Sequence, residues 1–148
     1  MSVTRDEFIA AVRLFNGAPY RHLGRSPLGV DCLGVLVCAA HDLGLIPREV
    51  DRREYSRNVA DYTLVEEIEA SGYLERLPQW TDARPGDVLL QKFHKRLPAS
   101  HVLIVTKFDG QYWTVLHASR ASKRVEEVRL AHPERCFAAY RMKGVADG

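Results

Sequence analysis

The spacing of apolar residues near the start of the chain predicts a helix. Thr4 followed by Glu7 is a capping-box signature, and the apolar residues after it, Phe8 and Val12 among them, recur at helical spacing. The pattern stops near Asn16, where the first helix is expected to end. Its apolar face is expected to pack on the rest of the protein.

A second helix is predicted from Cys32 to Leu43, where nearly every side of the helix is apolar, as in a buried helix. Asp31 can cap its start and Gly44 its end. The preceding segment, residues 18–30, is rich in Pro and Gly, which predicts an ordered loop. A third, shorter helix is predicted from Leu64 to Ala70.

Beyond Pro85 the pattern becomes that of short β-strands. The predicted strands are Asp87–Phe93, His101–Phe108, Tyr112–His117, Val125–Leu130 and Cys136–Met142. Asp109-Gly110 is a strong hairpin signal between two of them. The order predicts an α+β fold, with N-terminal helices packed on a C-terminal antiparallel sheet of about five strands. Residues 1–148 are expected to form a single domain, with a frayed tail from Gly144.

Composition fits a soluble globular protein, with 46% hydrophobic and 27% charged residues. The formal net charge is +2, and the basic residues are scattered, which argues against a nucleic-acid partner; the run from Arg120 to Arg124 is interpreted as a solvated turn. No stretch approaches the roughly 20 apolar residues of a membrane span, so no membrane insertion is expected. The first 15 residues lack the pattern of a signal peptide, and synthesis in the cytoplasm is expected.

The chain has three cysteines, Cys32, Cys38 and Cys136, without CxxC spacing, so reduced thiols and no metal site are expected. Cys32 stands at the first turn of a predicted helix. The positive end of the helix lowers the pKa of a thiol there, so Cys32 is predicted to be a nucleophile. The alternative is a small buried apolar residue. Cys38 and Cys136 are assigned to the core.

Two of the six histidines occupy matching positions at strand ends. His101 opens an apolar strand and His117 closes the next, so a hairpin at Asp109-Gly110 brings them together. One imidazole can then take a thiol proton while the other orients it. The alternative is two unrelated histidines at the rim of the sheet. The remaining histidines are assigned structural roles: His22, His41, His94 and His132.

Five short motifs cover nearly the whole length of the chain. They are Pro19-Tyr20-Arg21, Gly29-Val30-Asp31-Cys32-Leu33-Gly34, Pro85-Gly86-Asp87-Val88, Ser100-His101-Val102 and His117-Ala118. In this order and at these spacings, they resemble the NlpC-type peptidoglycan peptidases. The resemblance implies a papain-like fold in which the catalytic cysteine heads a helix packed against an antiparallel sheet.

The resemblance also implies roles for individual residues. Cys32 corresponds to the nucleophile, His101 to the general base and His117 to the residue that orients it. Tyr20 and Asp31 match positions that line the family's substrate pocket; the alternatives are core packing for Tyr20 and a plain helix cap for Asp31. No cofactor is implied.

The implied reaction is hydrolysis of an amide in the peptide stem of peptidoglycan, usually the γ-D-glutamyl bond to a diamino acid, through an acyl-enzyme. The chain departs from the family at His22-Leu23-Gly24 and at Leu33, where serine is usual, which removes a hydroxyl from the pocket region. The chain resembles the branch of the family that is encoded with phage tails and gene transfer agents. The shared features are the motif from Asp31 to Gly34, the compact length and the missing signal peptide. This implies action in the periplasm or cell wall, with phage-like tail or baseplate proteins as partners.

Two other functions remain open. The same fold and residues can serve a papain-like amidase or acyltransferase that acts on lipids or other amides. Alternatively, the chain is a structural tail-tip component with a vestigial site, although an intact set of Cys32, His101 and His117 argues against decay.

Overall fold

The computed structural model of the protein describes residues 2–51, 63–92 and 101–146. These ranges contain three α-helices: α1 (Arg5–Arg13), α2 (Cys32–Asp42) and α3 (Thr63–Ser71). With the strands they form an α+β fold in which helices pack on an antiparallel sheet, which confirms the predicted class. None of the helices within these ranges is long and apolar enough to cross a membrane.

Eight β-strands are described. They are β1 (Arg25–Ser26), β2 (Gly29–Val30), β3 (Leu74–Arg76), β4 (Val88–Gln91), β5 (His101–Phe108), β6 (Trp113–Ser119), β7 (Arg124–Arg129) and β8 (Cys136–Met142). β1 and β2 form a separate ribbon, and the other six form one antiparallel sheet in the order β3-β8-β4-β5-β6-β7. The predicted hairpin at Asp109-Gly110 is confirmed as the turn between β5 and β6.

The main sheet has one strand more than the sequence indicated. β3 is only three residues long and its side chains are half-buried or exposed, so no apolar alternation marks it. The two-residue strands β1 and β2 lie inside the segment predicted as a loop, and they are too short for a period-two pattern. Phe93, His94 and Ser100 lie outside the described residues.

The first helix begins as predicted and ends earlier. The N–H of Glu7 donates to Thr4 Oγ1 at 3.0 Å and the N–H of Thr4 to Glu7 Oε1 at 3.1 Å, which completes the capping box. The α-helix ends at Arg13, because the next residues form tighter turns, such as the bond from the N–H of Asn16 to the carbonyl of Arg13. Gly17, with φ of +85°, then turns the chain away.

The main core lies between the helices and one face of the sheet. Phe8 of α1, Leu36 of α2 and Tyr140 of β8 are among its large buried side chains. Because α2 is covered by α1 as well as by β5 and β6, it is apolar on nearly all sides. A smaller cluster on the opposite face includes Leu103 and is partly covered by Trp113.

The expectation of a frayed tail from Gly144 is wrong for residues 144–146. The N–H of Val3 donates to the carbonyl of Gly144 at 3.0 Å, and the N–H of Ala146 donates to the carbonyl of Val3 at 2.7 Å. These bonds form a parallel bridge between Val3 and Val145. The tail is held because its backbone groups pair with the segment in front of α1.

Asp87, in the Pro-Gly-Asp motif, is a fully buried carboxylate that ties α1 to the sheet. It accepts hydrogen bonds from Arg5 at 3.2 Å, from two nitrogens of Arg141 at 3.1 Å each, and from the N–H of Arg84 at 2.8 Å. Gly86, with φ of +94°, makes the turn that aims Asp87 inward. The motif is therefore a structural clamp between the N-terminal helix and β8.

Replacing Asp87 tests this clamp. We expect Asp87→Asn to lower the free energy of unfolding by about 3 kcal/mol, because it leaves two arginines facing a buried site without a charge. Urea unfolding followed by circular dichroism measures the change. The matched control is Asp42→Asn, which removes an exposed partner of Arg48 and should cost less than about 1 kcal/mol. Equal losses in the two variants would contradict the clamp.

Candidate active site

The loop that carries Tyr20 is held between the main sheet and the ribbon. The N–H of Tyr20 donates to the carbonyl of Lys123 at 2.9 Å, in the turn between β6 and β7. The N–H of Arg21 donates to the carbonyl of Val30, and the N–H of Val30 to the carbonyl of Pro19, both at 3.0 Å. Because Val30 leads into α2, these bonds bring the first two sequence motifs to the helix start.

Asp31 is the N-cap of α2 and the centre of a buried ion pair, with only 2% of its surface exposed. Its Oδ1 accepts from the N–H of Gly34 at 2.8 Å and from Arg25 at 3.0 Å, and its Oδ2 accepts from the N–H of Leu23 at 2.8 Å. Arg25 also donates to Asp51 at 2.9 Å. The capping role is confirmed. The contact with substrate stays a prediction, and the burial favours the structural role.

The residues on either side of this cap explain two further positions of the motif. A Cβ atom at Gly34 would lie 2.4 Å from the carbonyl oxygen of Gly24, so only glycine allows the loop to pack on the first turn of α2. Leu33 is 5% exposed and lines an apolar cavity of about 60 Å³ with Leu36 and Ile68. The expectation that Leu33 removes a hydroxyl from the substrate pocket is therefore wrong, because this side chain points into the core.

Cys32 is the first residue of α2 and is half-buried against the core. The pKa of the Cys32 thiol is raised to about 12, chiefly by burial and then by the charge of Asp31. Hydrogen bonds from the backbone N–H groups of Val102 and Leu33 and the charge of Arg120 lower the pKa, but they do not offset burial. The helix start therefore lowers the pKa of Cys32 as predicted, but burial raises it by more. The bond from Val102 puts the sulfur at the start of β5, where His101 is the preceding residue.

The two predicted histidines are brought together. His101 Nε2 lies 2.7 Å from His117 Nδ1, and the ring planes are nearly perpendicular, at 79°. His101 is buried, and His117 Nε2 lies 3.5 Å from Glu126 Oε1 on the neighbouring strand. Three side chains thus form a row that leads away from the thiol: His101, His117 and Glu126.

A bulge in the sheet places the two imidazoles on one face. β5 and β6 pair as Phe108 with Trp113 near the turn, but the register shifts by one at Thr106. Beyond the shift His101 and His117 are diagonal neighbours on the same face. Without it, the original register would put His117 on the opposite face, because side chains alternate along a strand.

The order of hydrogen-bonding partners specifies where the ring protons sit. A carboxylate only accepts, so Glu126 favours a proton on His117 Nε2 and leaves His117 Nδ1 as an acceptor. His101 Nε2 must then carry the proton of the 2.7 Å bond. The nitrogen of His101 that remains to take a proton is Nδ1. This arrangement is compatible with the predicted role of His101 as a general base, which stays a prediction.

Burial favours the neutral form of both imidazoles. The pKa of His101 is lowered to about 3, chiefly by burial and then by repulsion from His117 and Arg120. Burial also lowers the pKa of His117, while the charge and hydrogen bond of Glu126 raise it. These shifts favour a neutral Cys32 thiol and neutral imidazoles at neutral pH.

Two residues near the site escaped the sequence analysis. Arg120 belongs to the run interpreted as a solvated turn, yet its Nε donates to the hydroxyl of Tyr20 at 3.1 Å and its charge acts on the site. Glu126 lies in a predicted strand, directly opposite His117. This register allows its carboxylate to contact the His117 ring. The only sequence signal was their closeness to His117.

Two cysteines and two histidines lie away from the candidate site. Cys38 packs against the core from α2, and Cys136 is buried at the start of β8, as assigned. His41 Nε2 lies 2.8 Å from the carbonyl oxygen of Val50, and His132 lies 3.3 Å from Glu134. Over residues 2–51, 63–92 and 101–146, no three side chains of His, Cys, Asp or Glu are grouped so that they could hold a metal ion.

The fold matches that of solved NlpC/p60 structures. NlpC2 from Trichomonas vaginalis superposes with a TM-score of 0.67 at 17% identity, over 96% of this chain and 47% of that one. The NlpC/p60 domain of the peptidoglycan hydrolase SagA superposes with a TM-score of 0.60 at 20% identity, over 95% of this chain and 100% of that one. An N-acetylmuramoyl-L-alanine amidase from Bacteroides uniformis superposes with a TM-score of 0.62 at 12% identity, over 94% of this chain and 98% of that one.

These similarities establish an NlpC/p60-type, papain-like fold. No family model matches the sequence, and no curated protein matches it either. The chain spans about half the length of the two Trichomonas vaginalis structures that it resembles.

The raised pKa of Cys32 predicts how fast the thiol is alkylated as pH changes. Because the thiolate fraction grows about tenfold per pH unit below the pKa, the iodoacetamide rate at Cys32 should rise steadily from pH 6 to pH 9. Mass spectrometry of the tryptic peptides measures the rate at each cysteine. A rate that is flat between pH 5 and pH 7 would indicate a preformed thiolate and contradict the neutral resting site.

Glu126 is expected to raise the pKa of His117, since a nearby carboxylate favours the imidazolium. Glu126→Gln should therefore lower the pKa of His117, as followed by NMR titration of its ring carbons. Glu127→Gln is the matched control, because Glu127 is the next residue but pairs with Arg13. The interpretation fails if the pKa of His117 is unchanged in Glu126→Gln, or if both variants shift it equally.

Proposed function

We propose that this protein is a cysteine hydrolase that cleaves an amide in the peptide stem of peptidoglycan. The observation that carries the proposal is the 2.7 Å contact between His101 and His117, with the Cys32 thiol bonded to the N–H of Val102, the residue after His101. A nucleophile, a base and a residue that orients the base are the parts that acyl transfer requires. The similarity in fold to a peptidoglycan hydrolase domain and to a muramoyl amidase supports the choice of substrate.

In the proposed mechanism, the Cys32 sulfur attacks the amide carbonyl while His101 Nδ1 takes the thiol proton. The backbone N–H of Cys32, at the helix start where no intrahelical acceptor exists, stabilises the oxyanion. The C–N bond breaks as His101 returns the proton to the leaving amine, and an acyl-enzyme remains. Water, deprotonated by His101, then attacks the thioester and releases the acid and the free thiol.

The bond that we propose is the γ-D-glutamyl bond to a diamino acid. Support comes from the five motifs shared with the NlpC-type peptidases, including Tyr20 beside the site and the Cys/His/His set. Action on a phage-like tail, with tail or baseplate proteins as partners and the periplasm or cell wall as the location, remains a prediction. It rests on the motif from Asp31 to Gly34.

A second candidate is cleavage of the amide between sugar and stem peptide. It is favoured by the similarity in fold to the muramoyl-L-alanine amidase. The nucleophile and base would be the same, so the two reactions differ only in where the new amine appears. Lipid amides, and a structural role with a vestigial site, remain weaker alternatives.

Cys32→Ala is the direct test. We expect the variant to lose all muropeptide hydrolysis while its circular dichroism spectrum is unchanged, because the thiol contributes the nucleophile and little packing. Mass spectrometry of purified muropeptides identifies the new amine and therefore the bond. The control is Cys38→Ala, which should retain activity, since Cys38 lies further along α2. Muropeptide hydrolysis by the Cys32→Ala protein would contradict the proposal.

A further inference from the structure

A basic depression lies beside the candidate catalytic residues. It has a volume of about 440 Å³ and is lined by Tyr20, Arg21, His22, Arg120 and Lys123. None of these lining residues is acidic. The nearby carboxylate of Asp31 is buried and paired with Arg25. The depression therefore offers positive charge to a ligand.

Arg120 connects this depression to the reacting groups. Its Nε donates to the Tyr20 hydroxyl at 3.1 Å, and its guanidinium carbon lies 5.9 Å from the centre of the Tyr20 ring. The backbone of Tyr20 is in turn bonded to Lys123. The guanidinium is thus held in place, and it is close enough for its charge to lower the pKa of both Cys32 and His101.

This charge contributes little to the proton transfer itself. A positive charge stabilises a thiolate at Cys32 but destabilises an imidazolium at His101, so its two effects on the transfer oppose each other. Arg120 is better suited to binding an anion than to assisting the proton transfer, since the N–H groups of a guanidinium match the two oxygens of a carboxylate.

We infer that the depression at Arg120 is a carboxylate-binding site that selects substrates with a free carboxylate close to the scissile amide. The inference rests on the proposed function, because the carboxylate is assigned to the acyl part of the substrate. In a γ-D-glutamyl stem this group is the α-carboxylate, which is replaced by a carboxamide in amidated stems. The protein should therefore prefer the unamidated stem.

The first experiment needs no catalysis. Glutarate, a dicarboxylate of the same length as the γ-glutamyl unit, is titrated into the protein, with glutaramide as the uncharged probe, and NMR follows the Arg120 Nε signal. We expect glutarate to shift this signal, glutaramide to leave it unchanged, and the affinity for glutarate to fall in Arg120→Gln. Binding of glutarate that is equal in wild type and Arg120→Gln would overturn the inference.

The second experiment measures kcat/KM for two stem peptides that differ only in the α-carboxylate or α-carboxamide. Wild type should prefer the carboxylate by about 10-fold to 100-fold, the range expected for a charged hydrogen bond. Arg120→Gln should lose this preference mainly through KM, and Arg120→Lys should recover part of it. Arg48→Gln, an exposed arginine in a different depression, should keep the wild-type ratio.

The outcomes separate the two proposals. Cleavage of both peptides at equal rates by wild type would overturn the carboxylate site and leave the proposed function standing. Glutarate binding at Arg120 without cleavage of either peptide would support the site and reject the stem-peptide function. The absence of both binding and cleavage would reject the site and the function.

Discussion

The hydrogen bond between His101 and His117 is the interaction on which the candidate site depends. At 2.7 Å between His101 Nε2 and His117 Nδ1, it commits one nitrogen of each ring and leaves His101 Nδ1 able to accept a proton. Glu126, on the next strand, holds the far side of His117. In the proposed mechanism, this row of groups determines which nitrogen of His101 receives the proton of Cys32, so the mechanism requires the row to be intact.

The rest of the fold positions this bond relative to the thiol. The shift of register at Thr106 sets the two rings on one face, and the clamp at Asp87 ties α1 to the sheet. Asp31 caps α2 and binds the loop in front of it, so that Cys32 meets the N–H of Val102. Buried polar side chains, each with partners, thus connect distant motifs to one site.

Much of the fold and of the candidate site was predictable from short sequence patterns. The capping box, the buried helix after Asp31, the Asp109-Gly110 hairpin and the meeting of His101 with His117 follow from spacing and turn chemistry. The bulge at Thr106 and the strand β3 carry no such signal, because they arise from pairing with distant strands. Arg120 and Glu126 acquire their roles in the same way. The pKa of Cys32 was predicted with the wrong sign, because the cost of burial depends on packing that no motif reveals.

In the proposed mechanism, a neutral Cys32 thiol and a neutral His101 require that the base takes the proton during the attack. The nitrogen-15 chemical shifts of the ring atoms of His101 and His117, recorded at neutral pH, test this most directly. The structure predicts protonated Nε2 and unprotonated Nδ1 atoms in both rings. A proton on His101 Nδ1 would leave Cys32 without a base and would contradict the account.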